Sequence, residues 1–444
     1  MTEETVSQLL QTKPDITGDY QRDSESFGRF WGKVAAFLER VPLRRGDWTE
    51  ASEAGHAARE RFLSLYADQI YRAATNDLRS FVRVEQLVLD AAGIVPGLLP
   101  TPEALAAENA REQKDKLGLE IAHGIFLAHV LANPATGMHL CHAMLRVTEA
   151  GRDWAALYYA TGKLELPTAT VERRGRAAIV TLLNPRFLNA EDGTTLSDAE
   201  TAIDCAILDP YAGVAVLRGG TVEHPKYAGR RIFSAGINLT HLYRGKIPLV
   251  WYMQRDMGLV NKIFRGVARG DTDPDELYGG THEMPWIATI DGFAIGGGCQ
   301  LLLAMDYVLA ASDAYMTLPA RKEGIIPGAA NLRLPRFVGD RLARQAILSD
   351  RRFDCDTPEG RLICDEIAPP DSMDAALDRV IANLTSSGVV SAGGNRRALR
   401  VAQEPLDLFR RYMAVYAREQ AYCHFSPALI GNLERYWNAA QRRL

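Results

Sequence analysis

The sequence predicts an α/β protein with an all-helical N-terminal extension and further helices at the C-terminus. From Glu25 to about Lys163, apolar residues recur at helical spacing, as in "ARERFLSLYADQIYRA". Strand and helix patterns then alternate, which is typical of an α/β domain. From about Ser372 the helical spacing returns and continues to the C-terminus. We therefore expect a helical domain over residues 1–165, a core over 166–370 and a C-terminal helical region over 371–444.

Local signals place helix ends within the N-terminal extension. Thr101 is a predicted N-cap, with Pro102 at the first helical position and acidic Glu103 in the first turn. Asn133 and Pro134 are predicted to end the preceding apolar helix, since proline does not continue a helix.

The core contains short apolar runs separated by turn signals, which predict buried strands. The expected strands are two within 169–184 around an Arg-Gly turn, then Gly213–Gly220, Trp286–Gly292 and Asp306–Ser312. The expected helices are 196–208, Leu249–Arg265, Leu301–Met305 and Gly339–Ser349.

The composition argues against several classes of function. The chain has 444 residues, 47% of them hydrophobic and 24% charged, and a net charge of −4, so we expect no nucleic-acid partner. Its six cysteines are scattered without a C-x-x-C pair, as in the reduced cytoplasm, where we place the protein. No apolar run approaches the ~18 residues of a membrane span, and the acidic start does not match a signal peptide.

Three consecutive glycines, Gly296 to Gly298, join a predicted strand to a helix in "AIGGGCQLLLAMDY". Without side chains, their backbone lets a ligand approach closely. Amide N–H groups at a helix N-terminus lack intrahelical partners and can stabilise a negatively charged oxygen. Taken alone, such a triplet is more often a tight packing turn.

Further motifs add to the triplet. They are "LLNPRFLNAED" (182–192), "RRIFSAGINLTHL" (230–242) and "PARKEGIIPGAANLRLPRFVGDRLARQAIL" (319–348). In this order they resemble the enoyl-CoA hydratase (crotonase) superfamily over roughly residues 168–425. The resemblance implies a crotonase-like spiral of ββα units. It also implies a homo-oligomer, a trimer or hexamer, in which the C-terminal region completes the pocket and the interface.

The resemblance implies an oxyanion hole for a thioester carbonyl. Its two backbone N–H donors would be Ile237, after the "AG" of the first segment, and Gly297, the middle glycine. Ala235 and Gly296, which precede these donors, would contact the substrate.

Two positions depart from the hydratase pattern. Where hydratases carry two glutamates, this chain has Gln300 and Ala320. Neither can act as a carboxylate base, so we expect no ordinary hydration. Together with the helical extension and "VWYMQRDMGLVNKIFRG", this pattern is similar to an oxygenase branch of the superfamily. That similarity implies conversion of an arylacetyl-CoA and O2 to an arylglyoxylate and free CoA, with no metal or organic cofactor.

Other candidate residues keep two interpretations each. Arg255 either has a polar role over the substrate or peroxide, or it forms a salt bridge with Asp256 or lies on a solvated helix face. Gln300 either orients the substrate or is satisfied by backbone at the helix start.

The remaining candidates would bind the two ends of the substrate. Glu191 either accepts hydrogen bonds from ring hydroxyls or is a capping or surface charge. Arg230 and Arg231 either meet CoA phosphates or are solvated. The base that removes the α-proton is not assigned.

The nine histidines form no H-E-x-x-H motif, and no G-x-G-x-x-G follows a strand. His139 and His142 are three apart, but packing is the more frequent role of such a pair, so we expect no metal. Two alternatives stay open: an isomerase or thioester hydrolase that does not use O2, and a non-catalytic acyl-CoA-binding protein.

Overall fold

The computed structural model describes residues 5–44, 46–270, 280–386 and 389–442. The chain divides into two compact units. Unit 1 comprises the chain up to Ala143 together with Tyr243–Val250 and Phe409–Gly431. Unit 2 comprises Met144–Leu242, Trp251–Leu408 and the chain from Asn432 onward. The domain boundaries expected near residues 165 and 370 stay predictions.

The predicted N-terminal helical region is confirmed. Its first seven helices are α1 (Val6–Gln11), α2 (Tyr20–Leu38), α3 (Gly46–Ala74), α4 (Val84–Ile94), α5 (Pro102–Asn109), α6 (Ile121–Ala132) and α7 (Pro134–Leu145). The Thr101 side chain accepts a hydrogen bond from the Ala104 amide, so the predicted N-cap of α5 is confirmed. Helix α6 ends at Ala132, and Asn133 is its C-cap, also as predicted.

Aromatic packing between α2 and α3 forms part of the core of unit 1. The ring centroid of Phe62 lies 5.3 Å from that of Phe27, 5.4 Å from that of Trp31 and 4.9 Å from that of Tyr66. These spacings fall within the range in which aromatic pairs attract one another beyond simple burial.

Unit 2 is built on two main sheets. Its strands are β1 (Lys163–Glu165), β2 (Ala169–Arg174), β3 (Ala177–Leu182), β4 (Val214–Gly219), β5 (Val267–Ala268), β6 (Thr281–His282), β7 (Trp286–Ile290), β8 (Phe293–Ile295), β9 (Tyr307–Ala311), β10 (Tyr315–Thr317), β11 (Phe353–Asp354) and β12 (Glu366–Ala368). The larger sheet has the order β1-β2-β3-β4-β7-β9-β12, and a smaller one has the order β11-β10-β8.

Strands β3, β4, β7, β9 and β12 run parallel, while β1, β2 and β3 pair antiparallel. Parallel strands covered on both faces read as continuous apolar runs, and every residue of β7 is buried. Strands β2, β3, β4, β7 and β9 lie within the ranges predicted from the sequence. The strand predictions at 169–184, Gly213–Gly220, Trp286–Gly292 and Asp306–Ser312 are confirmed.

The helices of the remaining chain are α8 (Glu149–Thr161), α9 (Leu196–Ile207), α10 (Leu239–Tyr243), α11 (Leu249–Met253), α12 (Asn261–Arg265), α13 (Gly297–Leu302), α14 (Ala320–Glu323), α15 (Ala330–Ser349), α16 (Met373–Thr385), α17 (Val389–Gln403), α18 (Leu406–His424) and α19 (Pro427–Trp437). Short 3₁₀ turns occur at Gln113–Asp115, Pro185–Phe187, Gly360–Leu362, Pro370–Ser372 and Ala439–Gln441. The predicted C-terminal helices are confirmed. Within the described residues, no helix combines the length and apolarity needed to cross a membrane.

One predicted helix start was wrong. Helix α13 begins at Gly297 rather than Leu301, because the glycine triplet itself enters the helix. Glycine is a poor helix former, so propensity excluded the triplet from this helix. Helix α15 joins two helical stretches across a kink at Gly339, where φ is 75° and ψ is 160°. The predicted helix over Gly339–Ser349 corresponds to the second stretch, and the stretch that begins at Ala330 was missed.

Candidate active site

The two backbone segments predicted to form the oxyanion hole lie side by side in unit 2. The Ser234 amide donates to the Phe293 carbonyl (3.3 Å), and the Ile295 amide donates to the Ser234 carbonyl (3.0 Å). Gly236 has a φ of +78°, and a Cβ built on it would lie only 2.8 Å from the Gly297 amide nitrogen. Glycine is therefore required at this position, both for its dihedral angle and for the close approach.

The amide N–H groups of Ile237 and Gly297 have no hydrogen-bond acceptor within the part of the chain that the structure describes. Ile237 forms a parallel β-bridge with Glu191, but the bonds are made by its neighbours. The Glu191 amide donates to the Gly236 carbonyl (2.7 Å), and the Asn238 amide donates to the Glu191 carbonyl (2.8 Å). Gly297 is the first residue of α13, where N–H groups have no partner within the helix. Both N–H groups can therefore donate a hydrogen bond to a ligand oxygen.

A buried guanidinium joins the glycine triplet to Glu191. The Arg255 side chain is 3% exposed, and its Nε and Nη2 each lie 2.9 Å from a Glu191 carboxylate oxygen. Nη2 also donates to the Gly297 carbonyl at 2.8 Å. A bidentate guanidinium–carboxylate pair fixes the orientation of both side chains as well as pairing their charges. Arg255 and Glu191 thus hold one another beside the backbone segments described above.

We call the side chains of Arg255, Glu191, Asp256 and Gln300 the Arg255 cluster. Nη1 of Arg255 makes the remaining contacts of this cluster. It donates to Asp256 Oδ1 at 2.9 Å and to Gln300 Oε1 at 2.8 Å. The salt bridge to Asp256 considered from the sequence is therefore present, but Arg255 is buried rather than on a solvated helix face. The Gln300 side chain accepts from a guanidinium, not from the backbone, and Glu191 is a buried charge rather than a surface one.

The backbone carrying Arg255 is a π-helix over Gln254–Val260, placed between α11 and α12. The predicted helix over Leu249–Arg265 is thus present but contains this wider turn. Such turns are rare and occur frequently at functional sites. No periodicity in the sequence indicates it.

Arg230, Arg231 and Ala235 lie on the same segment as Ile237 but contact other groups. Arg230 pairs with Asp313 at 2.8 Å, with both side chains nearly half exposed. Arg231 pairs with Asp374 at 3.0 Å. Ala235 packs against an apolar cluster of Val222, Ile232 and Phe293. Among the described contacts, none joins these three residues to the Arg255 cluster.

Sequence reasoning missed a buried carboxyl group, Glu323. It is 4% exposed, and a Cβ built on Gly296 would lie 3.6 Å from its Oε1. Burial, with the nearby charge of Asp350, raises the pKa of Glu323 to about 7. Glu323 lies three residues after Ala320 on α14, which is the spacing that puts side chains on one helix face. That spacing was the available signal.

A second carboxylate lies next to Glu191 in the chain. Asp192 accepts hydrogen bonds from Asn238 Nδ2 (2.8 Å) and Thr194 Oγ1 (2.6 Å), and lies 2.9 Å from His241 Nδ1. Burial opposes ionisation, but these hydrogen bonds outweigh it and hold the pKa of Asp192 at about 2. His241 is thus engaged by a carboxylate.

An apolar cavity of about 20 Å³ adjoins Glu191. Its lining includes Leu217, Trp251, Leu259 and Leu301. A space of this size can hold one water-sized molecule, and apolar walls offer water few hydrogen-bond partners. The cavity can therefore accommodate a small apolar molecule.

Within the described ranges, no group of three or more His, Cys, Asp or Glu side chains is arranged to hold a metal ion. His139, considered as a ligand from the sequence, lies 2.7 Å from the Tyr71 hydroxyl and stacks on Phe81. Its environment is that of a packed side chain.

Residues 172–392 match the family model described as enoyl-CoA hydratase/isomerase. The chain is also 45% identical, over 395 residues and 89% of each protein, to a (3,5-dihydroxyphenyl)acetyl-CoA 1,2-dioxygenase of Amycolatopsis orientalis. The chain belongs to the crotonase family. The family predicted from the sequence motifs is thereby confirmed.

More distant members of the crotonase family match a smaller part of the chain. A short-chain-enoyl-CoA hydratase of Clostridium acetobutylicum is 26% identical over 238 residues, which is 53% of this chain and 82% of that protein. A solved enoyl-CoA hydratase from Mycobacterium avium subsp. paratuberculosis K-10 has a TM-score of 0.49 at 22% identity, covering 61% of this chain and 98% of that one.

Proposed function

We propose that the protein is a dioxygenase that converts 3,5-dihydroxyphenylacetyl-CoA and O2 to 3,5-dihydroxyphenylglyoxylate and free CoA without a metal or organic cofactor. The observation that carries this proposal is the 45% identity, across 89% of both chains, to the relative named for that substrate. Gln300 and Ala320, in place of the two hydratase glutamates, support it because ordinary hydration needs both carboxylates.

In this proposal the thioester carbonyl accepts hydrogen bonds from the unpartnered amides of Ile237 and Gly297. Loss of an α-proton, already acidified by the ring and the thioester, places negative charge on that oxygen. Two preorganised donors stabilise this charge more than water does, because they need no reorganisation. The product of this first step is a bound enolate.

The enolate transfers one electron to O2, and the two radicals combine to form a C–O bond at the α-carbon. The distal peroxide oxygen attacks the thioester carbonyl and expels CoA as the thiolate. Loss of the second α-proton with cleavage of the O–O bond leaves the α-keto acid. Both oxygen atoms of O2 are in the product, so the reaction balances without another oxidant.

The surrounding residues have proposed binding roles. Glu191, held by Arg255, would accept hydrogen bonds from the ring hydroxyls, and Gln300 would orient the thioester. The apolar cavity beside Glu191 would hold O2 away from bulk water, which also protects the enolate from reprotonation. Arg230 and Arg231 would meet the CoA phosphates.

A second candidate function is a crotonase-type isomerase or thioester hydrolase that does not use O2. Glu323 favours it, because a buried carboxyl with a pKa of about 7 can both take and return a proton near neutral pH. The two functions share the oxyanion hole and differ in oxygen consumption.

The deciding experiment uses metal-stripped protein with 3,5-dihydroxyphenylacetyl-CoA in an oxygen electrode, while free thiol is measured in parallel. We expect equal amounts of O2 consumed and CoA released, with no effect of a chelator. CoA release in the absence of O2, or activity that returns only with added metal, would contradict the proposal.

Gly297→Ala tests the role of the oxyanion segment. A Cβ there would collide with the Glu191 carboxylate and lie 3.0 Å from Arg255 Nη2. Alanine keeps the backbone N–H, but we expect the collision to displace it, so that the rate falls on the order of 10²–10³, as when one oxyanion-hole donor is lost. Gly93→Ala, on α4 where a Cβ meets no atom within 4 Å, is the matched control and should retain full activity.

The wider biological setting is also a proposal. The product is the α-keto acid needed to make dihydroxyphenylglycine for vancomycin-type glycopeptide antibiotics, so we place the enzyme in cytoplasmic antibiotic biosynthesis. We further propose a homohexamer built from trimers, with residues 371–444 in the interface and completing the pocket. Light scattering coupled to gel filtration measures the assembly directly, and a monomer would contradict this part.

A further inference from the structure

Unit 1 contains a cavity of about 240 Å³ that shares no residue with the candidate active site. Its lining is mainly apolar and includes Trp31, Val34, Leu38, Leu99 and Leu117. An engineered apolar cavity of about 150 Å³ binds benzene, so this cavity can admit a molecule with a single ring or a short aliphatic chain.

One wall of this cavity carries a cation without a carboxylate partner. Arg59 donates from Nε to the Leu98 carbonyl (2.8 Å) and from Nη2 to the Gly97 carbonyl (3.1 Å), and its guanidinium lies 5.4 Å from the Trp31 ring centroid. All three partners are uncharged. Within the described residues no Asp or Glu forms an ion pair with Arg59, although Glu39 also lines the cavity.

The charge of Arg59 is therefore solvated mainly by dipoles. Burial lowers the pKa of Arg59 to about 10, which still leaves the side chain largely protonated at neutral pH. A partly buried guanidinium without a counter-charge is less well solvated than in water, and an anionic ligand would offset that loss.

Two side chains that line the cavity carry buried polar atoms without partners among the described residues. The Trp31 side chain is 1% exposed, and its Nε1–H donates to no acceptor. His56 Nδ1 is also buried and unpartnered, while Nε2 lies 3.3 Å from the Ser52 hydroxyl. Burial, with the charge of Arg59, lowers the pKa of His56 to about 3, so the ring is neutral. In the tautomer in which Nε2 accepts from the Ser52 hydroxyl, Nδ1 carries the proton and is a donor.

We infer that this cavity is a binding site for a small monocarboxylate with an aromatic or short aliphatic body. The carboxylate would pair with Arg59, on the wall that Trp31 and His56 also form. The apolar body would fill the space between Val34, Leu38 and Leu99. This inference is independent of the proposed dioxygenase reaction.

The test is calorimetric titration of the full-length protein with phenylacetate and, separately, with hexanoate. We expect binding of both, and binding of the uncharged analogue benzyl alcohol at least about tenfold weaker, as for loss of one charge-assisted hydrogen bond. Equal affinity for benzyl alcohol and phenylacetate would overturn the inference, and so would no binding of either acid.

Two variants locate the site. Gly32 lines the cavity, and a Cβ there meets no atom within 4 Å, so Gly32→Leu should fill the space without a clash and abolish binding. Gly93→Leu, at another open helical glycine outside the cavity, is the matched control and should bind normally. Arg59→Met should weaken the acids at least about tenfold and leave benzyl alcohol unchanged. Persistence of phenylacetate binding in Gly32→Leu would place it elsewhere and overturn the inference.

Discussion

Replacing Arg255 with methionine tests whether the Arg255 cluster is a buried, paired charge system. The substitution keeps much of the side-chain volume but removes the guanidinium between Glu191 and Asp256. Those carboxylates are 8% and 2% exposed, so they cannot regain full hydration. Removing one partner of a buried ion pair costs about 3–5 kcal/mol, mostly because the other charge is left unpaired.

We therefore expect Arg255→Met to lower the free energy of unfolding by about 3–5 kcal/mol. Urea unfolding followed by circular dichroism at pH 7 measures this change. The matched control is Arg344→Met, which removes an ion pair to Asp340 at 2.8 Å whose side chains are 61% and 67% exposed. Exposed pairs contribute about 0–1 kcal/mol, so the control should be nearly neutral.

A double-mutant cycle with Glu191→Gln separates the pair from its surroundings. If Glu191 and Arg255 interact directly, the double variant should be more stable than the sum of the two single changes by about 1–3 kcal/mol. Two results would refute the reasoning: the same small cost for Arg255→Met and Arg344→Met, or additive effects in the cycle.

Three further predictions concern other positions. Because the pKa of Glu323 rises from 4.5 to about 7 on folding, the folded state binds more protons between these values. As pH rises across that window, the unfolding free energy of the wild type should therefore fall by roughly 3 kcal/mol relative to that of Glu323→Gln. Urea titrations at pH 5 and pH 8 measure this change. A solvated carboxyl group would show no such loss, and that result would contradict the prediction. Glu172→Gln, on the exposed side of β2, is the control. Thr101→Ala should cost about 1 kcal/mol through loss of the α5 cap, whereas Thr101→Ser should be nearly neutral by the same unfolding assay. Gln300→Glu alone should not confer hydration of crotonyl-CoA, because the second carboxylate is still missing. The change in ultraviolet absorbance of crotonyl-CoA measures hydration, and a measurable rate would contradict this prediction.

Local sequence patterns were sufficient for the features that depend on neighbouring residues. The Thr101–Pro102 start of α5 and the end of α6 at Asn133 follow from backbone hydrogen bonding within one helical turn. The buried parallel strands β4, β7 and β9 follow from short apolar runs. The order of motifs around "GGGCQ" identified the family, and Gln300 together with Ala320 led to the prediction that ordinary hydratase chemistry is lost.

The arrangement of the site depended on contacts between distant parts of the chain. Arg255 is 64 residues from Glu191 and 45 from Gln300, and no local period relates them. The approach of Gly236 to Gly297 exists only because β8 aligns with the segment at Ser234. The environment of Glu323 likewise comes from burial against Gly296, so its raised pKa could not be read from residue type. Side-chain pairing and desolvation are properties of the packed structure, whereas helix caps and buried strands are encoded in short stretches of chain.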